Sequence, residues 1–363
     1  MKLVTIVGAR PQFIKAAAVS RVLRERHTEI LVHTGQHYDP DMSDIFFEEM
    51  HIPRPDYNLG AGSGSHARQT AAMLTGIEEV LEKEKPAALL CYGDTNSTLA
   101  GALAASKLCI PVIHVEAGLR SFDMRMPEEQ NRALTDRLSS LLFCPTDTAV
   151  ENLRKEGIIR GVYQVGDVMC DAVRYYAQLI DAHERAYYFS RARKLFPAPD
   201  PEAWYLATIH RAENTQNAET IRRILDAFEE LDLPVIFPVH PRTRCLVESV
   251  YAERGYRNIV FLHPVGYLDM LFYLKYAKKA ITDSGGLQKE AYLLHTPCIT
   301  VRGSTEWTET LTGAHNLLCR PEKEELLEKV LHTAPDPAAY RNHYGDGRAA
   351  EKISELIEKE ELH

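Results

Sequence analysis

Short apolar runs alternate with longer amphipathic stretches along the chain. LVTIVG from Leu3, FIKAAAVSRVL from Phe13 and EILVHTG from Glu29 are followed by a helical pattern from His66 to Lys85. This is the rhythm of β-α-β units. It continues through ALLCYG ending at Gly93, a small-residue helix through Ala105, PVIHVE ending at Glu116 and LLFCPT ending at Thr146. The strand-like runs are apolar on both faces, which suits a parallel sheet covered by helices on each side. After VYQVGD at Val162 to Asp167, one long helical stretch is expected from Val168 to about Phe196, ending in the loop Pro197 to Pro201. A hinge is expected there or just before it. A second series then runs through WYLATIH, LPVIFPVH, NIVFL, KAITDS and PCITV. The pattern predicts an α/β protein of two Rossmann-like, doubly wound domains, 1–170 and 171–347. A final helix at about 348–363 is expected to return to the first domain.

Composition narrows the classes of function. With 363 residues, 45% of them hydrophobic, the chain can bury two ordinary cores. A net charge of -9 without a Lys/Arg run argues against nucleic acid as a partner. The seven cysteines are scattered and form no CxxC pair, which fits a reducing cytoplasm and gives no sign of a metal site. No segment approaches the ~20 apolar residues that spanning a bilayer takes, so no membrane role is expected.

Ligands of open parallel sheets sit beyond the carboxyl ends of the strands, and there the chain is rich in polar residues. Asp283-Ser284-Gly285-Gly286 ends a strand and opens a helix, so the backbone N–H groups of Ser284, Gly285 and Gly286 suit a diphosphate, with Glu290 one turn on for ribose hydroxyls. A plain turn with Asp283 as N-cap would explain the same residues. Arg10 and Lys15 put cations at the first strand-to-helix turn. Asp94 and Glu116 end strands, and Glu128 lies in the loop beyond. Three converging carboxylates would raise at least one pKa and suit proton transfer next to a sugar carbon, although Glu128 after Pro127 also reads as an ordinary first-turn acid. His210, with Arg211 and Glu213, can bind phosphate or move a proton. His114, inside an apolar strand, reads as structural. There is no Walker A loop, no GxGxxG and no GxSxG, so no nicotinamide or ATP cofactor is expected.

These residues resemble the non-hydrolysing UDP-N-acetylglucosamine 2-epimerases, built on the two-domain GT-B fold (that of UDP-glycosyltransferases and glycogen phosphorylase). The markers span nearly the whole chain: Gly8 to Lys15, Thr34-Gly35-Gln36-His37, Gly93-Asp94-Thr95, His114 to Arg120, Pro127-Glu128-Glu129, His210-Arg211, Asp283 to Gly286 and Tyr344 to Gly347. The resemblance implies binding of a UDP-N-acetylhexosamine in the cleft between the domains. It also implies elimination of UDP to a 2-acetamidoglucal and re-addition with inversion at C2, in supply of bacterial surface polysaccharide precursors. No cofactor or metal takes part. Asp94, Glu116, Glu128 and His210 match the family's catalytic groups, and Arg10, Lys15, Arg211, Ser284, Gly285, Gly286 and Glu290 its substrate-binding groups. Gln36 and His240 match a second, allosteric site, and a cytoplasmic homodimer is implied. Thr305-Glu306-Trp307 departs from the usual Thr-Glu-Arg and resembles the branch that epimerises UDP-2,3-diacetamido-2,3-dideoxyglucuronate. A hydrolysing epimerase and a GT-B glycosyltransferase are the further alternatives.

Overall fold

The computed structural model of the protein describes residues 1–36 and 52–360. His37, one of the family markers, lies outside them. The chain divides into two units: unit 1 is Met1–Arg174 with Asn342–His363, and unit 2 is Tyr175–Arg341.

Unit 1 is built on a seven-stranded sheet in the order β3-β2-β1-β4-β5-β6-β7, with every pairing parallel. Its strands are β1 (Lys2–Val7), β2 (Thr28–His33), β3 (Tyr57–Asn58), β4 (Ala88–Tyr92), β5 (Val112–Val115), β6 (Leu141–Cys144) and β7 (Val162–Gln164). Its helices are α1 (Arg10–Leu23), α2 (His66–Glu84), α3 (Asn96–Lys107), α4 (Pro127–Leu138) and α5 (Asp147–Lys155), and α6 (Val168–Ile180) carries the chain into unit 2. β4, β5 and β6 are buried at every position, as strands with helices on both faces must be. α3 is rich in Ala, Ser and Gly, so its backbone lies close on the sheet; the Cβ position of Gly101 is 3.1 Å from Ile6.

Unit 2 has a six-stranded parallel sheet in the order β10-β9-β8-β11-β12-β13. Its strands are β8 (Tyr205–Thr208), β9 (Val235–Pro238), β10 (Ile259–Leu262), β11 (Ala280–Thr282), β12 (Cys298–Thr300) and β13 (Asn316–Leu318). The helices are α7 (Arg185–Arg191), α8 (Ala212–Thr215), α9 (Ala218–Glu229), α10 (Arg244–Arg254), α11 (Tyr267–Lys275), α12 (Gly285–Leu293) and α13 (Lys323–His332). After it, α14 (Ala349–Lys359) belongs to unit 1 and packs on α1.

Three details differ from the sequence pattern. The expected helix from Val168 to Phe196 is two helices, broken at Asp181 to Glu184, where Asp181 accepts from Lys275 and Tyr276 instead of continuing the turn. The Pro197 to Pro201 loop lies inside unit 2, so the chain changes unit earlier, within α6. The short edge strands β3 and β13 had no apolar run of their own to announce them.

In each sheet the order of winding reverses beside the first strand, between β1 and β4 and between β8 and β11. Crevices open at such switch points. In unit 1 the two sides are tied by Gln12, 1% exposed. Its Oε1 accepts from the N–H groups of Gly8 (2.8 Å) and Ala9 (3.1 Å), while its Nε2 donates to Tyr92 O (2.8 Å) and Thr98 Oγ1 (3.0 Å). One amide thereby sets the spacing of the β1 and β4 turns. Gln12→Ala removes the acceptor of the buried Gly8 and Ala9 N–H groups, while Tyr92 O keeps its bond from Thr98 Oγ1, and each unpaired group costs about 1–3 kcal/mol. Urea denaturation is expected to show at least that loss.

Candidate active site

In unit 1 the candidate residues gather on the β1, β4 and β5 ends. Lys15, one turn into α1, pairs with the Glu116 carboxylate, and both side chains are largely buried. Glu116 follows β5 with φ 71°, a left-handed conformation that costs a non-glycine residue about 1–3 kcal/mol. The strained backbone aims its carboxylate across the sheet end at the β4 turn. There, a Cβ on Gly93 (φ 63°) would lie 3.1 Å from Glu116 Oε2 and 3.2 Å from Lys15 Nζ. A side chain at this position would be strained by the dihedral and would crowd both charged groups.

Asp94, next to Gly93, meets Arg132 of α4: Nη2 to Oδ2 is 2.5 Å. The Asp94 carbonyl accepts from Asn131 Nδ2 at 2.8 Å. Arg132 also reaches Glu129 at 3.1 Å. Glu129 accepts from the N–H groups of Ser121 and Phe122 at 2.8 and 3.0 Å. Burial alone would raise the pKa of Glu129, but the bonds from Ser121, Phe122 and Arg132 hold it below the usual carboxylate range. Glu128 is exposed in the first turn of α4, where its charge favours the helix dipole. The structure thus brings Asp94, Glu116 and Lys15 to adjacent strand ends and leaves Glu128 on the open side of α4. Sequence reading missed Arg132 and Asn131. The one available signal was the Glu129 to Arg132 spacing of three on a helix that follows Pro127.

Arg10 opens α1, and its side chain lies outside the described residues. Gln36, matched to a second site, is buried, and its Oε1 accepts from the N–H (3.0 Å) and Oγ (2.6 Å) of Ser97 at the start of α3. His114 is buried, as its strand position suggests, with both ring nitrogens bonded.

In unit 2 the organising group is Asp283, at 0% exposure. It is not the N-cap of α12. Its carboxylate instead crosses to the β8 turn, accepting from His210 N (3.0 Å), Arg211 N (2.9 Å) and Asn214 Nδ2 (2.9 Å), with His210 Nδ1 at 3.3 Å. The N-cap is Ser284, whose Oγ faces Leu287 N at 3.5 Å. The Ser284 N–H is bonded to Thr282 Oγ1 at 2.9 Å, so it does not point outward as the sequence suggested. The first-turn N–H groups of Gly285 and Gly286 have no partner within the helix. Glu306 lies over this end: a Cβ on Gly285 would be 2.2 Å from its Oε1. An anion belongs there by the helix dipole. Arg302 also holds Glu306, Nη1 to Oε2 at 2.8 Å. Lys289 stands 4.2 Å from the centre of the Trp307 ring, a cation–π contact on the same helix end. Glu290 is buried on α12. His240 caps the short helix Pro241–Thr243, and its ring stacks on His210 at 5.4 Å between centroids.

Two Rossmann-type sheets in one chain, each with its polar groups at the switch point and the second with an anion-favouring helix start, define the GT-B class. Comparison with known proteins agrees. A family model for UDP-N-acetylglucosamine 2-epimerase matches residues 21–358. A protein of Methanococcus maripaludis, named as a UDP-N-acetylglucosamine 2-epimerase homolog, is 50% identical over 98% of this chain and 99% of its own. The UDP-2,3-diacetamido-2,3-dideoxy-D-glucuronate 2-epimerase of Pseudomonas aeruginosa is 45% identical over 99% of this chain and 100% of its own. Among solved structures, the UDP-GlcNAc 2-epimerase of Methanocaldococcus jannaschii in complex with UDP-GlcNAc and UDP superposes with a TM-score of 0.86. It is 42% identical and covers 99% of this chain and 100% of its own. The chain belongs to the UDP-N-acetylglucosamine 2-epimerase family and is an epimerase, of the isomerase class.

The electrostatics of His210 give a measurable consequence. Burial pushes its pKa below the ordinary 6.5; Asp283 opposes this, and Arg211 and Arg242 add to it. Since the unfolded chain protonates near 6.5 and the folded site does not, the stabilisation is complete above that pH and is lost as pH falls toward the folded value. A proton NMR titration is expected to find His210 titrating below 6.5, and Arg242→Ala to move it upward.

Proposed function

We propose that this epimerase interconverts UDP-GlcNAc and UDP-ManNAc by eliminating UDP and adding it back. The observation that carries the reading is the Glu116 carboxylate, held by a strained backbone against Lys15 and the Gly93-Asp94 turn. A carboxylate in that place takes the proton from C2 of the sugar. The electrons of the C2–H bond form the C1 to C2 double bond, and those of the C1–O bond leave with UDP. In the second half a proton reaches C2 from the opposite face and the diphosphate oxygen re-forms the bond to C1. No net redox change occurs.

Asp94, Glu116 and Glu128 are the proposed acid/base set, with His210 serving the departing diphosphate. Arg10 and Lys15 neutralise its charge. Arg211, the turn Ser284-Gly285-Gly286 and Glu290 hold the UDP moiety. The M. jannaschii relative solved with UDP-GlcNAc and UDP supports this substrate class. The product would supply surface polysaccharide synthesis.

A second reading rests on Thr305-Glu306-Trp307. Trp307 packs against Lys289 on the helix proposed for the diphosphate, and the 45% identical P. aeruginosa relative acts on the diacetamido glucuronate. That sugar is the alternative substrate.

The test is proton NMR of the protein in D₂O with each UDP-sugar. Deuterium is expected at C2, together with the manno epimer; the absence of exchange and of UDP release with both sugars would sink the proposal. Asp94→Asn and Glu116→Gln are expected to lower kcat by ~10²- to 10⁴-fold while UDP binding stays intact. Equal loss of binding would assign these residues to the fold.

A further inference from the structure

Directly beneath the Gly93-Asp94 turn lies a buried polar network that the reaction as written does not use. His114 and Asp136 are both 0% exposed at the side chain. His114 Nδ1 lies 2.6 Å from Asp136 Oδ1, and His114 Nε2 lies 2.7 Å from the carbonyl oxygen of Gly93. Asp136 Oδ2 accepts from Arg120 Nη1 at 2.7 Å and from Gly118 N at 3.2 Å. Arg120 is in turn gripped by Glu156, through Nε at 2.6 Å and Nη2 at 2.8 Å.

Hydrogen-bond chemistry fixes the direction of one bond. A carbonyl oxygen only accepts, so Nε2 donates to Gly93. On the other side of the ring Nδ1 faces Asp136 Oδ1, so the side chain bridges the Gly93 carbonyl and Asp136. Burial alone would raise the pKa of Asp136, but His114 and Arg120 bring it below the usual range. The other titratable groups facing this pocket are uncharged or already engaged. Burial raises the thiol pKa of Cys91 on β4 and of Cys144 on β6, the latter to about 12, so both stay neutral. Glu156 is occupied by Arg120, and Glu116, beyond Gly93, by Lys15.

The ring joins the segments that bear the proposed acid/base groups. It grips the carbonyl of Gly93, immediately before Asp94. It sits on β5, two residues before Glu116. Its partner Asp136 lies on α4, the helix that carries Glu128 in its first turn, and also fixes the Gly118 to Arg120 turn that follows Glu116. No other side chain of unit 1 among the described residues is shown bonding both the β4 turn and α4 from beneath the sheet end in this way; Asn131 and Arg132 approach Asp94 from α4 itself.

We propose that His114 is a positioning residue: buried and backed by Asp136, it donates to the Gly93 carbonyl and through it fixes Asp94 relative to Glu116 for proton transfer at C2. The inference rests on the epimerase chemistry proposed above. Removing the ring leaves both carboxylates in place but loosens their geometry, and small misplacements of reacting groups cost up to ~10²-fold in rate.

The experiment has two arms. In the wild-type protein, nitrogen NMR of ¹⁵N-labelled histidine is expected to show a proton on Nε2 of His114, the atom that faces the Gly93 carbonyl. A bare Nε2 cannot donate to that carbonyl and overturns the proposal without any variant having to fold. In the second arm, His114→Gln and Asp136→Asn are assayed for C2 exchange and UDP binding. A fall in kcat on the order of a hundredfold is expected, with UDP binding and KM close to wild type. Wild-type turnover, or a parallel loss of kcat and UDP binding with lowered Tm, overturns the positioning role. If the wild type itself exchanges no C2 proton with either UDP-sugar, the epimerase reading fails, while the bond from His114 to Gly93 is still decided by the first arm.

Discussion

The constraint on which the rest of this molecule depends is the burial of both faces of its parallel strands. A strand such as Ala88–Tyr92, with every residue buried, has no surface on which to carry chemistry. Polar groups are accommodated only where the strands stop, and in each sheet the reversal of strand order opens a gap at that edge. The candidate groups of unit 1 follow β1, β4 and β5, and those of unit 2 follow β8 and β11. Their distribution is a consequence of how the core is closed.

Each unit then spends one fully buried carboxylate on fixing these ends. Asp136 binds a ring and a guanidinium in unit 1, and Asp283 gathers backbone and side-chain donors of the β8 turn in unit 2. A buried charge is tolerable only when it is paired and hydrogen-bonded. That requirement works in reverse as a specification, since the donors must come to where the carboxylate is. Loops that would otherwise be mobile are held by the cost of leaving such a charge unmet. The left-handed backbone of Glu116 persists for the same reason, because its surroundings over-determine it.

Much of this was legible in the sequence, and the reasons it was or was not are specific. Two-faced apolar runs announced β1, β4, β5, β8 and β9, because burial on both sides leaves no polar alternation. Asp94, Glu116, His210 and the Gly285-Gly286 turn stood out because each directly follows such a run. Arg132 and Asn131 did not, since they lie within a polar helix whose facing direction depends on tertiary packing. The role of Asp283 was not legible: a cap was the local alternative for a carboxylate before a helix, and nothing in the sequence says that its partners lie after β8. His114 looked structural from its strand, and the structure adds which groups it joins.

The topology also has a consequence in time. Unit 2 is inserted within unit 1, and the last helix of unit 1, α14, packs on its first, α1. During synthesis the first sheet can form its strand pairs early, but the face of α1 that receives α14 stays uncovered until the ribosome has made the whole of unit 2. The nascent chain therefore carries that face of α1 uncovered for as long as unit 2 is being made.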